Sequence, residues 1–322
     1  MREIYRFARR YYNDYRQSKP YNVKMFNTTL DANITDHWLY RFIVDRNLTK
    51  NLDKNKSISL FSVNGDKLAI HLNRSDYKIF FTGENVHVPE THWYKYEDLF
   101  LKEKKINLSI GFDYLFDNKY LRFPLWIMYM FDPTDTYEQI REKCSLLNSH
   151  NIDFNKRNKF CALICRYDYF GERIKMYQQI NQIEEVSCGG NFMHNDDDLF
   201  TKFSDDKLAY LEQFRFNLCP ENTNSDGYVT EKIFEAIKSG CIPIYWGSNN
   251  NPEPEIINHD AVFFVSNNEI NEGIINEIKA INNNLKLYND FARQNRLSAD
   301  APEIIYDYFV KLENKILNML ND

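Results

Sequence analysis

Side chains suited to holding a diphosphate lie close together in one polar loop and the helix that follows it. The amide of Asn222 and the phenol of Tyr228 precede the carboxylate of Glu231 and the ammonium of Lys232. The pattern predicts a helix that begins near Thr230. A helix N-terminus presents unpaired N–H groups and about half a unit of positive charge, which suits an anion. A cation in the first turn is unfavourable by roughly 0.3–1 kcal/mol, and a bound anion would remove that conflict.

Each of these side chains has an expected role and a plainer alternative. Asn222 follows a predicted strand over 216–219, and open α/β sheets place ligands at that carboxyl edge. The hydroxyl of Tyr228 is expected to reach a phosphate, and Glu231 is expected to accept hydrogen bonds from ribose hydroxyls. The alternative is ordinary helix capping, with Glu231 and Lys232 on a solvated helix face.

The elements that must position these residues alternate between strands and helices. In the second half of the chain, short apolar runs predict strands over 160–165, 185–187, 216–219, 242–245 and 261–265. Helices are predicted between them over 171–181, 207–214 and 230–239. This alternation predicts a doubly wound parallel sheet. Because Pro243 lacks an N–H group, its strand is expected to be interrupted or bulged there.

The first half of the chain predicts a separate α/β domain. Its apolar runs over 58–63, 78–82 and 108–112 are typical of buried parallel strands. A polar stretch over 131–159, with a helix expected over 137–147, is the predicted crossing between domains. We therefore predict an N-terminal domain over 1–150 and a second domain over 151–305. The amphipathic helix that ends the chain, 306–322, is expected to pack back on the first domain.

Bulk properties exclude several classes of protein. The chain has 322 residues, 43% of them hydrophobic, and a net charge of −6, which argues against a nucleic-acid-binding protein. The first residues lack the apolar run of a signal peptide, and no run reaches the roughly 20 apolar residues that span a bilayer. The six cysteines are scattered and are expected to be reduced core thiols in a cytoplasmic protein. The acidic stretch 196–198 fits a metal-binding pattern in letters only, and a solvated acidic loop is preferred.

The N-terminal segment has a charge of its own. Residues 1–24 carry seven basic and two acidic side chains, a local charge of +5 that leaves −11 for the remainder. Tyrosines and a phenylalanine are interleaved with the arginines. This pattern fits a basic amphipathic helix on an anionic membrane surface. A helix packed on the protein with a solvated basic face fits it as well.

The stretch 216–247, FNLCPENTNSDGYVTEKIFEAIKSGCIPIYWG, resembles the signature of the family 10 α1,3/4-fucosyltransferases of the soluble bacterial type. The resemblance implies a GT-B fold, in which two Rossmann-like domains face a cleft. It also implies that Asn222, Tyr228, Glu231 and Lys232 bind the donor GDP-fucose. Arg173 resembles the family arginine that contacts the diphosphate, with Arg166 as the competing candidate.

A second segment, Thr82-Gly83-Glu84-Asn85, resembles the family's TGEN sequence. The resemblance implies that Glu84 is the catalytic base. Displacing a nucleotide from an anomeric carbon with inversion requires a base on the acceptor hydroxyl, and a carboxylate at the edge of a sheet meets that need. A loop glutamate that caps a turn is the alternative.

Together these patterns predict an inverting transfer of L-fucose from GDP-β-L-fucose to a glycan, α1,3 to GlcNAc or Glc of an N-acetyllactosamine or lactose type. No obligatory cofactor or metal is expected, although Mn²⁺ or Mg²⁺ stimulation stays open. A GT-B transferase for another nucleotide sugar and a non-catalytic nucleotide-sugar binder are the alternatives. The expected location is the cytoplasm, with peripheral contact at the inner membrane face.

Overall fold

The computed structural model describes residues 2–17, 22–27, 33–99, 103–149, 157–265 and 272–321. The chain divides into two compact units: Met1–Thr136 with Ile305–Asp322, and Tyr137–Ile304. The predicted boundary at residue 150 lies outside the described residues, and the observed division falls earlier, at Thr136. The helix Tyr137–Leu147 groups with the second unit, where it contacts the helix Glu231–Lys238.

The first unit contains five strands: β1 (Val23–Phe26), β2 (Ile58–Phe61), β3 (Tyr77–Phe81), β4 (Leu108–Gly111) and β5 (Tyr120–Arg122). Its helices are α1 (Arg2–Gln17), α2 (Trp38–Asp45), α3 (Leu68–Leu72) and α4 (Leu125–Met130). All strand pairs are parallel, in the order β1-β2-β3-β4-β5. Every residue of β2, β3 and β4 is buried, as expected for apolar strands covered on both faces.

The second unit contains β6 (Lys159–Leu163), β7 (Val186–Cys188), β8 (Phe214–Pro220), β9 (Ile242–Trp246) and β10 (Phe263–Phe264). Its helices are α5 (Tyr137–Leu147), α6 (Glu172–Ile180), α7 (Asp198–Thr201), α8 (Lys207–Leu211), α9 (Glu231–Lys238), α10 (Glu272–Asn283) and α11 (Leu285–Ala292). The sheet is parallel, in the order β10-β9-β8-β6-β7. β9, β8 and β6 are its interior strands. β8 and β9 both end at the edge where the polar loop 221–230 begins.

The last helix, α12 (Ala301–Asn321), begins in the second unit, and its residues from Ile305 onward belong to the first. There the ring of Phe309 packs against Trp38 and Phe42 of α2, with centroids 5.5 and 6.0 Å apart. The buried side chains of α12 recur at helical spacing, at Ile305, Phe309, Leu312 and Ile316. The amphipathic pattern of this segment therefore lies against the core of the first unit.

The interruption predicted at Pro243 is wrong. β9 runs without a break, and Pro243 pairs with Asn217 of β8. The carbonyl of Trp246 accepts a hydrogen bond from the N–H of Glu221, which follows β8, and the carbonyl of Tyr245 accepts one from Val265, which follows β10. The backbone groups of alternate residues in β9 therefore point to β8 and to β10. Pro243 therefore faces the β10 side, where pairing begins only at Ile244, so its missing N–H removes no hydrogen bond of the ladder.

Two further observations bear on the chemistry available to the chain. All six cysteines are buried and unpaired. Among the helices that the structure describes, none combines the length and apolar character needed to cross a membrane.

Candidate functional site

One buried carboxylate organises the polar loop between β8 and α9. Glu221 follows β8 directly and is 1% exposed. Its Oε1 accepts from the backbone N–H of Thr230 at 2.8 Å, and its Oε2 accepts from the Thr230 hydroxyl at 2.7 Å and the Lys232 ammonium at 3.1 Å. Thr230 is the residue before α9, so Glu221 fastens the helix N-terminus to the end of the strand.

The strand next to β8 leaves room for this carboxylate. Gly247 follows β9 with φ of +141°, which favours glycine. A Cβ atom added there would lie 2.6 Å from Cγ of Glu221, closer than real side-chain contacts allow. The hydroxyl of Tyr245 donates to Oε1 of Glu221 over 3.4 Å. The glycine is therefore required by the close approach of Glu221.

The electrostatics at the start of α9 differ from the sequence-based expectation. Burial lowers the pKa of the Lys232 ammonium, but the carboxylates of Glu221 and Glu231 outweigh it and raise that pKa above its ordinary value. Burial likewise raises the pKa of Glu231, and the charge of Lys232 more than offsets this and lowers it. Lys232 and Glu231 are therefore both held charged. The conflict expected for Lys232 is relieved inside the chain by Glu221, and does not depend on a bound anion.

Three more of the predicted residues lie together beside this cluster. Arg173 is buried, and its Nη2 donates to Oδ1 of Asn222 at 2.6 Å. The amide of Asn222 donates to the hydroxyl of Tyr228 over 3.5 Å. Arg173 also donates to the carbonyl oxygen of Tyr167. Arg166, the competing candidate, is exposed and lies outside this group.

The loop that leads from β6 into α6 forms the other wall of the site. Asp168 holds it in place, because its carboxylate accepts from the backbone N–H groups of Gly171 and Ile174, each at 3.0 Å. These bonds satisfy donors at the start of α6. Between the loop and the end of β9 lies a narrow cleft, lined by Tyr167, Asp168, Tyr169, Phe170, Glu172, Arg173, Glu221, Asn222 and Trp246.

Glu84, the predicted base, lies in the first unit, after the end of β3. Its backbone N–H donates to the hydroxyl of Thr82 at 3.1 Å, and that hydroxyl donates to the carbonyl of Glu84 at 2.6 Å. A Cβ atom on Gly83 would lie 2.7 Å from Cδ1 of Leu125, so the turn lies tightly against the start of α4. Glu84 is half-buried at the carboxyl edge of its sheet. The structure therefore places Glu84 in a turn held by the Thr82 hydroxyl, directly after a strand, where the sequence predicted a carboxylate at the edge of a sheet.

Sequence reasoning did not assign a role to Glu221, although this residue contacts both Thr230 and Lys232. A carboxylate directly after a buried strand is a signal that could have found it. The acidic stretch 196–198 is occupied by ion pairs: Lys159 lies 2.8 Å from Asp196 and 3.2 Å from Asp198. Within the described ranges, no group of three histidine, cysteine or acidic side chains is arranged to hold a metal ion.

Comparison with known families matches both units of the chain. Residues 154–300 match the family described as glycosyltransferase family 10 (fucosyltransferase) C-term. Residues 23–129 match the α-(1,3)-fucosyltransferase FucT N-terminal domain. These matches reach beyond the segments that carry the resemblance in the sequence itself, and together they span most of the chain.

Similar proteins fall in the same group. The α-(1,3)-fucosyltransferase FucT of Helicobacter pylori is 31% identical over 69% of this chain and 47% of its own length. The α-(1,3)-fucosyltransferase B of Drosophila melanogaster is 31% identical over 31% of this chain and 22% of its own. The chain thus spans less than half the length of either relative.

Solved structures agree on the fold. A crystal structure of an α1,3-fucosyltransferase with GDP matches with a TM-score of 0.56 at 20% identity, over 92% of both chains. Another, with GDP-fucose, matches with a TM-score of 0.53 at 24% identity, over 80% of this chain and 77% of its own. With two parallel Rossmann-like sheets, the predicted GT-B fold class is confirmed.

Proposed function

The chain belongs to glycosyltransferase family 10, and we propose that it transfers L-fucose from GDP-β-L-fucose to a glycan with inversion. The proposed linkage is α1,3, to GlcNAc or Glc of an N-acetyllactosamine or lactose-type acceptor. The observation that carries this proposal is the cluster at the start of α9, where a buried carboxylate holds Lys232 beside the Arg173–Asn222 pair. Such a cluster suits the diphosphate of a nucleotide sugar.

In the proposed donor complex, four residues bind the diphosphate and one binds the ribose. The ammonium of Lys232 directs two of its three donors to Glu221 and Thr230, so the third serves a phosphate oxygen. Arg173 supplies a permanent positive charge, with Asn222 and Tyr228 as neutral donors. Glu231, which stays ionised, accepts from the ribose hydroxyls.

The reaction is a single displacement. The acceptor oxygen attacks the anomeric carbon as the bond from that carbon to the GDP oxygen breaks, and the hydroxyl proton passes to Glu84. The β-linked donor thereby gives an α-linked product. Negative charge builds up on the departing GDP, and the cations of Arg173 and Lys232 stabilise it. We propose that no obligatory metal takes part, so EDTA is expected to leave the rate within about twofold.

A donor screen tests this proposal. The purified chain would be offered GDP-fucose, GDP-mannose and UDP-sugars, with and without N-acetyllactosamine or lactose, and nucleotide release would be followed with EDTA, Mn²⁺ or Mg²⁺ present. We expect GDP release from GDP-fucose that depends on acceptor. Turnover of another donor would refute the fucosyl assignment, and GDP-fucose binding without turnover on any acceptor would favour a non-catalytic binder.

Lys232 offers a matched test of the donor grip. Lys232→Ala is expected to weaken GDP-fucose binding and to slow turnover together, because the same charge holds the ground state and the departing GDP. Lys238, on the same helix but exposed, is the control, and Lys238→Ala should change neither quantity. Loss of folded protein alone in Lys232→Ala would instead assign this residue a structural role.

We also propose that α1 lies on an anionic membrane surface, on the cytoplasmic side where the six thiols stay reduced. One face of α1 packs inward, where Tyr11 stacks on Phe26 at 5.0 Å. The outward surface carries two adjacent stripes. One is apolar and aromatic and consists of Ile4, Tyr5, Tyr12 and Tyr15, exposed by 72, 69, 59 and 39%. The other is basic and consists of Arg6, Arg9 and Arg16.

A helix with adjacent aromatic and basic stripes can bind an anionic lipid surface, because its aromatic rings enter the interface and its arginines contact the anionic headgroups. Vesicles of phosphatidylcholine with and without phosphatidylglycerol would be sedimented with the protein. We expect binding to the anionic vesicles only, lost with Arg9→Glu and Arg16→Glu together, and kept in the control Arg141→Glu. Equal binding to both vesicles, or to neither, would refute the membrane contact.

A further inference from the structure

Glu172 has a buried carboxylate oxygen that the second unit does not satisfy. It lies in the first turn of α6, directly before Arg173, and the residue is 9% exposed. Its Oε1 accepts from the Lys175 ammonium at 3.0 Å. Its Oε2 is buried, and no donor in the described part of the chain lies within hydrogen-bonding distance. An unpaired buried acceptor is unfavourable, so a donor group from outside the chain would stabilise it.

The surroundings of Glu172 indicate which part of a ligand it meets. Glu172 lines the cleft between the loop before α6 and the end of β9, together with Arg173 and Asn222. Glu231 and Lys232 do not line this cleft. In a nucleotide sugar the diphosphate joins the ribose to the transferred sugar. If the ribose lies at Glu231 and the diphosphate at Arg173, the cleft extends from the diphosphate away from the ribose, towards the transferred sugar.

The walls of the cleft suit a sugar ring. The ring of Trp246 lines the cleft. So do the rings of Tyr167 and Tyr169, which are tilted by 45° with centroids 4.3 Å apart. Aromatic faces beside a carboxylate suit a sugar, which has an apolar ring face and hydroxyl donors at its edge.

From this geometry we infer that Glu172 is a donor-specificity residue whose carboxylate accepts hydrogen bonds from hydroxyls of the transferred sugar. The inference rests on the proposed function, since it takes the nucleotide sugar as the ligand. The shared chemistry is an N–H or O–H donor of the ligand. The ring N–H and amino group of guanine could also supply it, and the experiment separates the two sources.

Affinities of three ligands distinguish these sources in wild-type, Glu172→Ala and Glu172→Gln proteins. GDP-fucose and GDP differ by the sugar alone, and GDP and IDP differ by the amino group of the base. For Glu172→Ala we expect GDP-fucose affinity to fall about 10–100-fold, as for lost hydrogen bonds to a charged group, with GDP unchanged within about twofold. Glu172→Gln keeps the shape of the side chain and one acceptor oxygen, so its GDP-fucose affinity is expected to lie between those of the wild type and Glu172→Ala.

The control is Lys175→Ala, which removes the partner of Oε1 at a half-exposed position and should leave all three affinities unchanged. An equal loss of GDP and GDP-fucose affinity in Glu172→Ala, or the same loss in Lys175→Ala, would assign Glu172 a structural role. Loss of discrimination between GDP and IDP would place guanine at Glu172 and overturn the inference. A wild-type protein that binds neither GDP nor GDP-fucose would overturn the proposed function itself.

Discussion

Replacing Glu221 by alanine perturbs the site at its buried centre. The substitution removes the carboxylate that accepts from Thr230 and Lys232, and it leaves the Lys232 ammonium in a pocket where its side chain is only 18% exposed. Glu231 remains, but its Oε1 lies 3.8 Å from the ammonium. The variant therefore keeps a mostly buried cation with a distant partner.

The size of the effect follows from this geometry. Removing one partner of a buried ion pair costs about 3–5 kcal/mol, a large part of the roughly 5–15 kcal/mol that stabilises a folded protein. With a urea dependence of about 1–3 kcal/mol per M, the midpoint of the second unit's unfolding should fall by about 1 M or more. Unfolding would be followed by circular dichroism in urea.

Two comparisons make this prediction specific. The control Glu138→Ala removes an exposed carboxylate that pairs with Arg141, and it should cost less than about 1 kcal/mol. Adding Lys232→Met to Glu221→Ala should recover part of the lost stability, because the mostly buried cation that lost its nearer carboxylate is then gone. If Glu221→Ala costs no more than Glu138→Ala, the organising role assigned to Glu221 is refuted.

Three further changes probe other parts of the structure. Glu84→Gln should lower turnover about 10²–10⁴-fold and leave GDP affinity unchanged in a titration, whereas unchanged turnover would remove Glu84 from the mechanism. Gly247→Ala should destabilise the fold by about 1–3 kcal/mol in urea, since a Cβ there would meet a side chain at 2.6 Å; wild-type stability would contradict this. Burial raises the pKa of Asp132, but hydrogen bonds from Thr134 and Arg41 outweigh it and lower that pKa to about 2, so its stabilisation is complete above about pH 4 and is lost towards pH 2. Asp132→Asn should therefore flatten acid unfolding between pH 4 and 2, and an unchanged acid profile would argue against this role.

Much of the fold could be predicted from local sequence pattern. The helix over 137–147 has the predicted bounds, and the predicted strands begin and end within two residues of the observed ones. Buried parallel strands are nearly continuous apolar runs, which is why they are recognisable. β5 was not predicted, because its three residues, Tyr-Leu-Arg, include a charged side chain and form no apolar run.

Pro243 and the site show what local pattern could not provide. A proline interrupts a strand only if the neighbouring strand would pair with its missing N–H group. For Pro243 this depends on the register of β9 with β10, whose pairing begins at Ile244. The role of Glu221 depends similarly on β8 and β9 ending together beside Gly247. The unpaired oxygen of Glu172 depends on how the loop before α6 closes over it. These are contacts between distant parts of the chain, whereas Arg173 and Lys232 could be proposed from motif alone.

Analysis of the reaction product tests the central proposal most directly. The purified chain would be incubated with GDP-β-L-fucose and N-acetyllactosamine, and the product examined by NMR for the anomeric configuration and the position of the new bond. We predict one α-linked fucose on O3 of GlcNAc. A β-linked product would contradict inversion, and the absence of any fucosylated product, on this acceptor or on lactose, would contradict the proposed activity.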